Sequence, residues 1–290
     1  MIDRALDQAL RYALGAALKT TRRLSGGDIN DAFELELMSG VRVFLKTNAS
    51  APASMFPAEA RGLEWLRAAN ALRVPEVLAV SSAREGEPSF LVLELLMPGR
   101  PQRNFDERLG RGMAELHRFG APCFGWESSN FIGTLPQRNE PHESWADFYW
   151  YERLEPQLTR AVAAGLASQR MRTGFERLSS KLTQLVGPVE PPARLHGDLW
   201  GGNLHIDEAG APCLIDPAAY GGHREVDLAM MRLFGGFGES VFRAYQEVWP
   251  LSPGYAERIA LYQLYPLMVH VNLFGGSYVE SVERSLARYV

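Results

Sequence analysis

Leu6, Leu10 and Leu14 recur at i, i+4 and i+8, so the chain opens on a helix with one apolar face. Phe33, Leu35 and Leu37 then alternate with Glu34, Glu36 and Met38, the period of two of a half-buried strand. Ser39 and Gly40 supply a turn into a second strand, Val41 to Lys46, which leaves Lys46 at the far end of a hairpin. A helix is predicted from Phe56 to Asn70. Two more strands, Val74 to Val80 and Phe90 to Leu96, flank the polar stretch Ser81 to Pro88. The run Met97-Pro98-Gly99-Arg100-Pro101 breaks regular structure and marks a boundary. Beyond it Leu109, Met113 and Leu116 keep helical spacing, and Trp145, Phe148 and Tyr149 open another helix. One short hairpin interrupts this region, Leu204-His205-Ile206 and Cys213-Leu214-Ile215 around the turn Asp207 to Gly210. The pattern predicts an α+β fold in two lobes. Residues 1–96 form a small antiparallel sheet with a helix, residues 97–290 a larger, mainly helical lobe, and the hinge falls at about 93–101.

Composition narrows the function classes. In 290 residues, 46% are hydrophobic and 22% charged, the balance of an ordinary globular protein. A net charge of −4 gives no general basic surface and argues against nucleic acid as a partner. Two cysteines, Cys123 and Cys213, are too few for a disulfide framework and suit a reducing interior. The N-terminus mixes Asp3, Arg4, Asp7 and Arg11 with apolar residues and lacks a signal-peptide core. Ile259 to Val279 carries no charge, but Gln263, Pro266, His270, Asn272 and the Gly275-Gly276 pair fit a buried helix ending at a turn better than a membrane span. The expectation is a cytoplasmic protein with no membrane partner.

The candidate chemistry lies around the short hairpin. His196-Gly197-Asp198-Leu199-Trp200-Gly201-Gly202-Asn203 places an Asp five positions before an Asn, the spacing of a kinase catalytic loop. Loop Asp and Asn residues most often only cap turns. Here, however, the hairpin that follows is expected to end at Asp216, which adds a third polar group where a loop leaves a strand. Phosphoryl transfer needs such a set: a carboxylate at the attacking hydroxyl, and an amide oxygen and a second carboxylate on Mg²⁺. In the helix from Phe56, Glu59 shares a face with Leu63 and Leu66, so an acid lies where the helix packs inward and requires a cation. Lys46 is the nearest candidate in the topology, and a lysine–glutamate pair of this kind steers an ammonium onto ATP phosphates. Ser25, Gly26 and Gly27 lie between the first two strands, where a glycine-rich loop would approach those phosphates, although G-x-G-x-x-G is not matched. Glu94, Leu95 and Leu96 become an adenine hinge. Asp227 either closes a helix N-terminus or braces the catalytic loop; His117, His142 and His270 have no metal-ligand spacing and read as structural or surface residues.

The segments Arg194 to Asn203, Ile215 to Ala218, Tyr220 to Met230 and Leu233 to Phe237 resemble the fructosamine kinase (ketosamine 3-kinase) family, with support from Ser25 to Asn30, Met55 to Ala60 and Asn130 to Gly133. Trp200 in the loop separates this likeness from aminoglycoside phosphotransferases and choline kinases of the same fold. The resemblance implies a protein-kinase-like enzyme that uses ATP and Mg²⁺ to phosphorylate the 3-hydroxyl of a ketosamine, free or protein-bound, and so promotes deglycation. It implies Asp198 as the base, Asn203 and Asp216 as metal ligands, Lys46 with Glu59 at the phosphates, and Trp200, Phe131 and His223 in the sugar pocket. The loop has Asp28 and no cysteine, and Gly201 stands where the family often has serine. Phosphorylation of an aminoglycoside or another amino alcohol is the alternative reaction, and a nucleotide-binding pseudokinase the alternative class.

Overall fold

The computed structural model describes residues 2–24, 30–82 and 84–290. Helix α1 (Arg4–Leu14) starts where the Asp3 carboxylate accepts the Leu6 N–H at 2.8 Å and stops at Gly15, whose φ of 61° a side chain rarely tolerates. Strands β1 (Leu18–Leu24), β2 (Asp31–Leu37), β3 (Arg42–Thr47), β4 (Val77–Val80) and β5 (Phe90–Glu94) form one antiparallel sheet in the order β1-β2-β3-β5-β4. The apolar period of two faces inward: Phe33, Leu35, Leu37, Val43 and Leu45 are buried with Leu6 and Leu10 beneath α1. In the ladder Lys46 stands between Ala32 of β2 and Leu91 of β5, which fixes it near the middle of the sheet. Helix α2 (Met55–Arg67) packs between this sheet and the rest of the chain through Phe56, Ala60, Leu63 and Leu66.

Three expected boundaries of this part move. The helix stops at Arg67, because Asn70 takes a left-handed φ of 49°, and β4 begins at Val77 rather than Val74. β5 ends at Glu94, leaving Leu95 and Leu96 in the connection beyond it.

The larger part begins with α3 (Phe105–Phe119), then the hairpin β6 (Asn130–Ile132) and β7 (Leu135–Gln137). Next come α4 (Trp145–Phe148), a π-helical turn at Tyr149–Leu154, α5 (Glu155–Ala163), α6 (Gln169–Ser179) and α7 (Leu182–Leu185). Strand β8 (Ala193–Leu195) leads into the loop singled out above, followed by a 3₁₀ turn at Gly201–Asn203 and the hairpin β9 (Leu204–Ile206) and β10 (Pro212–Leu214). β11 (Tyr220–Gly222) returns antiparallel to β8. Helices α8 (Glu225–Phe234), α9 (Glu239–Val248), α10 (Tyr255–Tyr262), α11 (Leu264–Phe274) and α12 (Val279–Leu286) complete the lobe.

The uncharged stretch is two helices rather than one. Pro266 has no N–H to continue the ladder from Tyr262, and the break falls at Gln263. α11 then ends at Gly275, and among the described residues no helix is long and apolar enough to cross a membrane.

Candidate active site

Three segments meet at the cleft between the sheet and the helical part. The first is the loop after β8. His196 is fully buried; its Nδ1 accepts the Asp198 N–H at 3.3 Å, and its Nε2 lies 2.9 Å from the Ile215 carbonyl, so one ring joins the loop to the segment carrying Asp216. Gly197 has φ 82°, and a Cβ there would fall 2.1 Å from the Ala218 carbonyl oxygen. Only glycine lets the loop pass the segment that leads into β11. Asp227, in the first turn of α8, is fully buried and accepts the His196 N–H at 2.8 Å and the Gly197 N–H at 2.9 Å. His117 Nε2 stands 3.1 Å from the same carboxylate, and its Nδ1 2.8 Å from the Tyr245 hydroxyl. An ionised Asp227 requires the proton on Nε2, so Nδ1 accepts from Tyr245. Burial alone would raise the Asp227 carboxyl; the His117 hydrogen bond, the favourable electrostatics of the His117 and His196 rings and the Gly197 amide hold it below its ordinary value. Of the two readings of Asp227, the geometry supports the brace.

Asn203 closes the loop. Its amide donates to the Asp198 carbonyl at 2.8 Å and to Asp198 Oδ2 at 3.1 Å, which fixes the carboxylate's direction. The Asp198 carboxyl is pushed up to about 8, chiefly by burial and further by the negative charges of Asp216 and Asp227, against the Asn203 hydrogen bond.

The second segment carries Asp216. The hairpin strand stops at Leu214, and the Ile215 N–H donates to the Asn203 carbonyl at 3.1 Å. Asp216 has a φ of 55°, an unusual backbone state for a residue other than glycine, and its side chain is 40% exposed to the cleft. The third segment is β3 with α2. Lys46 Nζ donates to Glu59 Oε1 at 2.8 Å and to Asp216 Oδ1 at 2.5 Å. Burial works against the ammonium, but the two carboxylates outweigh it and keep Lys46 protonated. The pair inferred from the inward face of α2 is present, and Asp216 is its second partner.

Glu94 lies at the end of β5 with its carboxylate on Arg73 at 2.5 Å and its N–H on the Glu76 carbonyl at 2.9 Å. Its side chain is turned to the arginine, and Leu95 and Leu96 follow half-buried. Arg73 also grips Asp207 at 2.7 Å and Glu208 at 2.9 Å, tying this connection to the turn of the β9–β10 hairpin. Ser25, Gly26 and Gly27 lie outside the described residues.

The residues expected around the sugar divide. Trp200 is 43% exposed, and its indole lies over Gly202, where a Cβ would fall 2.3 Å from the ring. Gly201 has room, its nearest neighbour at 3.8 Å being the Gly235 carbonyl. Phe131 is half-buried on the β6–β7 hairpin, which Asn130 and Gln137 tie to the Ala219 and Ala218 carbonyls at 2.8 and 3.1 Å. His223 is not brought in. Because Tyr220 pairs with Leu195 and Gly222 with Ala193, each step along β11 leads away from the loop after β8. His223 is 2% exposed, stacked on Tyr262 with ring centroids 5.4 Å apart, and burial lowers its pKa to about 4.

An aromatic group escaped the sequence reading. Phe234, Phe274 and Tyr278 surround His270 at centroid distances of 4.6, 5.4 and 4.9 Å, with Phe274 64% exposed. Phe234 immediately precedes Gly235 and Gly236, which abut Gly201, so this group lies next to the loop segment that carries Trp200. In the sequence His270 shows only the absence of metal-ligand spacing, which gives no sign of this group.

A two-lobed fold with a lysine–glutamate pair facing an Asp/Asn/Asp set is that of an ATP-dependent phosphotransferase of kinase type. Residues 2–290 match the fructosamine kinase family, and the chain belongs to it. It is similar to a protein described as a "Probable ketoamine kinase" in Synechocystis, 40% identical over 93% of this chain and 90% of that one. It is similar to the chloroplastic protein-ribulosamine 3-kinase of Arabidopsis thaliana, 36% identical over 95% and 85% respectively. A crystal structure provisionally assigned as a fructosamine-3-kinase, from Thermobifida fusca, superposes with a TM-score of 0.90 at 34% identity, covering 99% of both chains.

Proposed function

We propose that this chain phosphorylates the 3-hydroxyl of a ketosamine, the sugar adduct of an amine, and thereby promotes deglycation. The observation that carries the reading is the convergence of Lys46 and Glu59 from β3 and α2 with Asp216 and the Asn203-held Asp198 on one cleft. Asp198 orients the acceptor hydroxyl and takes its proton as the phosphoryl group transfers. Lys46, braced by Glu59, holds the α and β phosphates, and the backbone from Glu94 to Leu96 meets adenine. Residues 1–96 then act as the nucleotide lobe and 97–290 as the acceptor lobe.

The donor chemistry fits Mg²⁺. Asn203's amide nitrogen is engaged with Asp198, which leaves its oxygen as the donor, and Asp216 offers a carboxylate open to the cleft. Both are hard oxygens, and among the described residues no cluster of three His, Cys, Asp or Glu could hold a metal unaided. Asn203 and Asp216 would hold the ion, which would supply neutralisation of phosphate charge. Trp200 and Phe131 flank the acceptor, with His270 and its aromatic neighbours beyond.

The supporting experiment is Mg²⁺-dependent ADP release with ribulosamine-lysine, fructosamine-lysine and an aminoglycoside panel. The account expects turnover on a ketosamine. Turnover on an aminoglycoside alone would keep the phosphotransferase and overturn the substrate.

A further inference from the structure

Arg194 sits in β8, four residues before Asp198, and is 6% exposed. Among the described residues no carboxylate stands within ion-pair distance of it, and the cavity beside it, about 330 Å³, is lined by no acid. Its guanidinium lies between the rings of Trp65 and Phe119, 4.3 Å from each centroid. Nε donates to the Gly120 carbonyl at 3.3 Å and Nη1 to the Trp65 carbonyl. Trp65 is in the last turn of α2, and Gly120 is the cap of α3. The negative ends of two helices, together with two aromatic faces, replace the missing counter-ion.

The consequence lies in what these elements carry. α2 holds Glu59 six residues before Trp65, and β8 runs directly into the loop of Asp198. α2 already touches the segment after Asp216 at Gly62, where a Cβ would meet Pro217 at 3.5 Å and Ala219 at 3.6 Å. α2 packs along its length through Phe56, Ala60, Leu63 and Leu66, and Arg194 adds an attachment at its C-terminal end that ties it to β8. Resting on the roles given above to Lys46 and Glu59, we infer that Arg194 is a positioning residue, fixing α2 on β8 so that the Lys46–Glu59 pair and Asp198 keep their spacing. Glu59 lies three residues from Gly62, about 4.5 Å along the axis. A pivot of about 5° displaces it by about 0.4 Å, enough in a phosphate-binding site to cost roughly tenfold in rate.

The test is a double-mutant cycle of Arg194→Met and Glu59→Gln, with Arg194→Lys as the conservative variant, in full-length folded protein checked by circular dichroism and thermal melting. Arg194→Met is expected to lower kcat/KM for ATP roughly tenfold, with the ketosamine KM changed less than about twofold. Arg194→Lys recovers part of the loss. In the Glu59→Gln background Arg194→Met should cost less than about twofold, because the group through which it acts is already absent. Full additivity, or a lowered melting temperature with unchanged kinetics per folded molecule, would overturn the inference. Unchanged kinetics in Glu59→Gln alone would instead overturn the Lys46–Glu59 reading, and the inference with it. If Arg194→Met does not fold, Phe119→Leu, at a position 55% exposed, removes one face of the sandwich and carries the same cycle.

Discussion

Asp227→Asn tests the brace beneath the catalytic loop. The native carboxylate accepts three hydrogen bonds with no exposure to water: His196 N–H, Gly197 N–H and His117 Nε2–H. An asparagine has one acceptor oxygen. With that oxygen at the Oδ2 position it keeps His196 and His117, but its NH₂ then faces the Gly197 N–H. One buried donor left unpaired costs about 1–3 kcal/mol, and removing the charge from the other two bonds costs about 1 kcal/mol each. The sum, about 3–5 kcal/mol, matches the usual cost of breaking a buried charged network. At this chain length it corresponds to a fall in Tm of roughly 6–10 °C. The Gly197 amide also sets the path of the backbone into Asp198, so kcat measured below the lowered Tm should fall at least about tenfold, with the KM for ATP little changed. Calorimetry and steady-state ADP release read the two effects separately. Wild-type stability and kcat together would refute the bracing role.

Three further outcomes follow from the geometry. Gly202→Ala should push the Trp200 indole off its seat and raise the acceptor KM several-fold without changing the KM for ATP, whereas Gly201→Ser, which has 3.8 Å of clearance, should be silent; equal effects would contradict this placement of Trp200. His223 is buried neutral with its pKa lowered from 6.5 to about 4. Its unfolded form binds the proton first, so the stability it contributes is complete above pH 6.5 and is lost as pH falls toward 4, by about 3 kcal/mol in all. Urea midpoints over that window should therefore decline less steeply in His223→Asn than in the native chain, and parallel curves would count against it. The lowered Asp227 carboxyl acts further down the scale: its contribution is present above its ordinary value of 3.8 and is lost below that as the carboxyl protonates, so the gap between the native and Asp227→Asn curves should narrow as pH falls below 3.8.

Much of the site could be read along the chain because its parts are short and local. Asp198 and Asn203 are five residues apart in one loop, and Asp216 follows the hairpin they introduce. Glu59 betrayed itself as an acid on an apolar helix face, and a strand-end lysine was the cation it needed. The bond from Lys46 to Asp216 spans 170 residues and had no local signature. Arg194 was invisible for the same reason, since its partners are carbonyls at two helix ends and leave no pattern of side-chain types. His223 entered only through the resemblance, and the antiparallel pairing of β11 with β8 carries it away from the loop into a stack on Tyr262. Among the element boundaries that moved are those at Asn70 and Glu94, where backbone torsion and strand pairing, not apolar period, end the element.

The central claim is transfer of a phosphoryl group to a ketosamine hydroxyl through Asp198. Its most direct test is ³¹P NMR of the product formed from ATP, Mg²⁺ and a ribulosamine or fructosamine substrate, with the native chain beside Asp198→Asn, and nucleotide affinity measured on both. The account predicts a sugar 3-phosphate with the native chain and no such product with Asp198→Asn, while ATP binding persists. Substantial product from Asp198→Asn, or none from the native chain on either ketosamine, would contradict it.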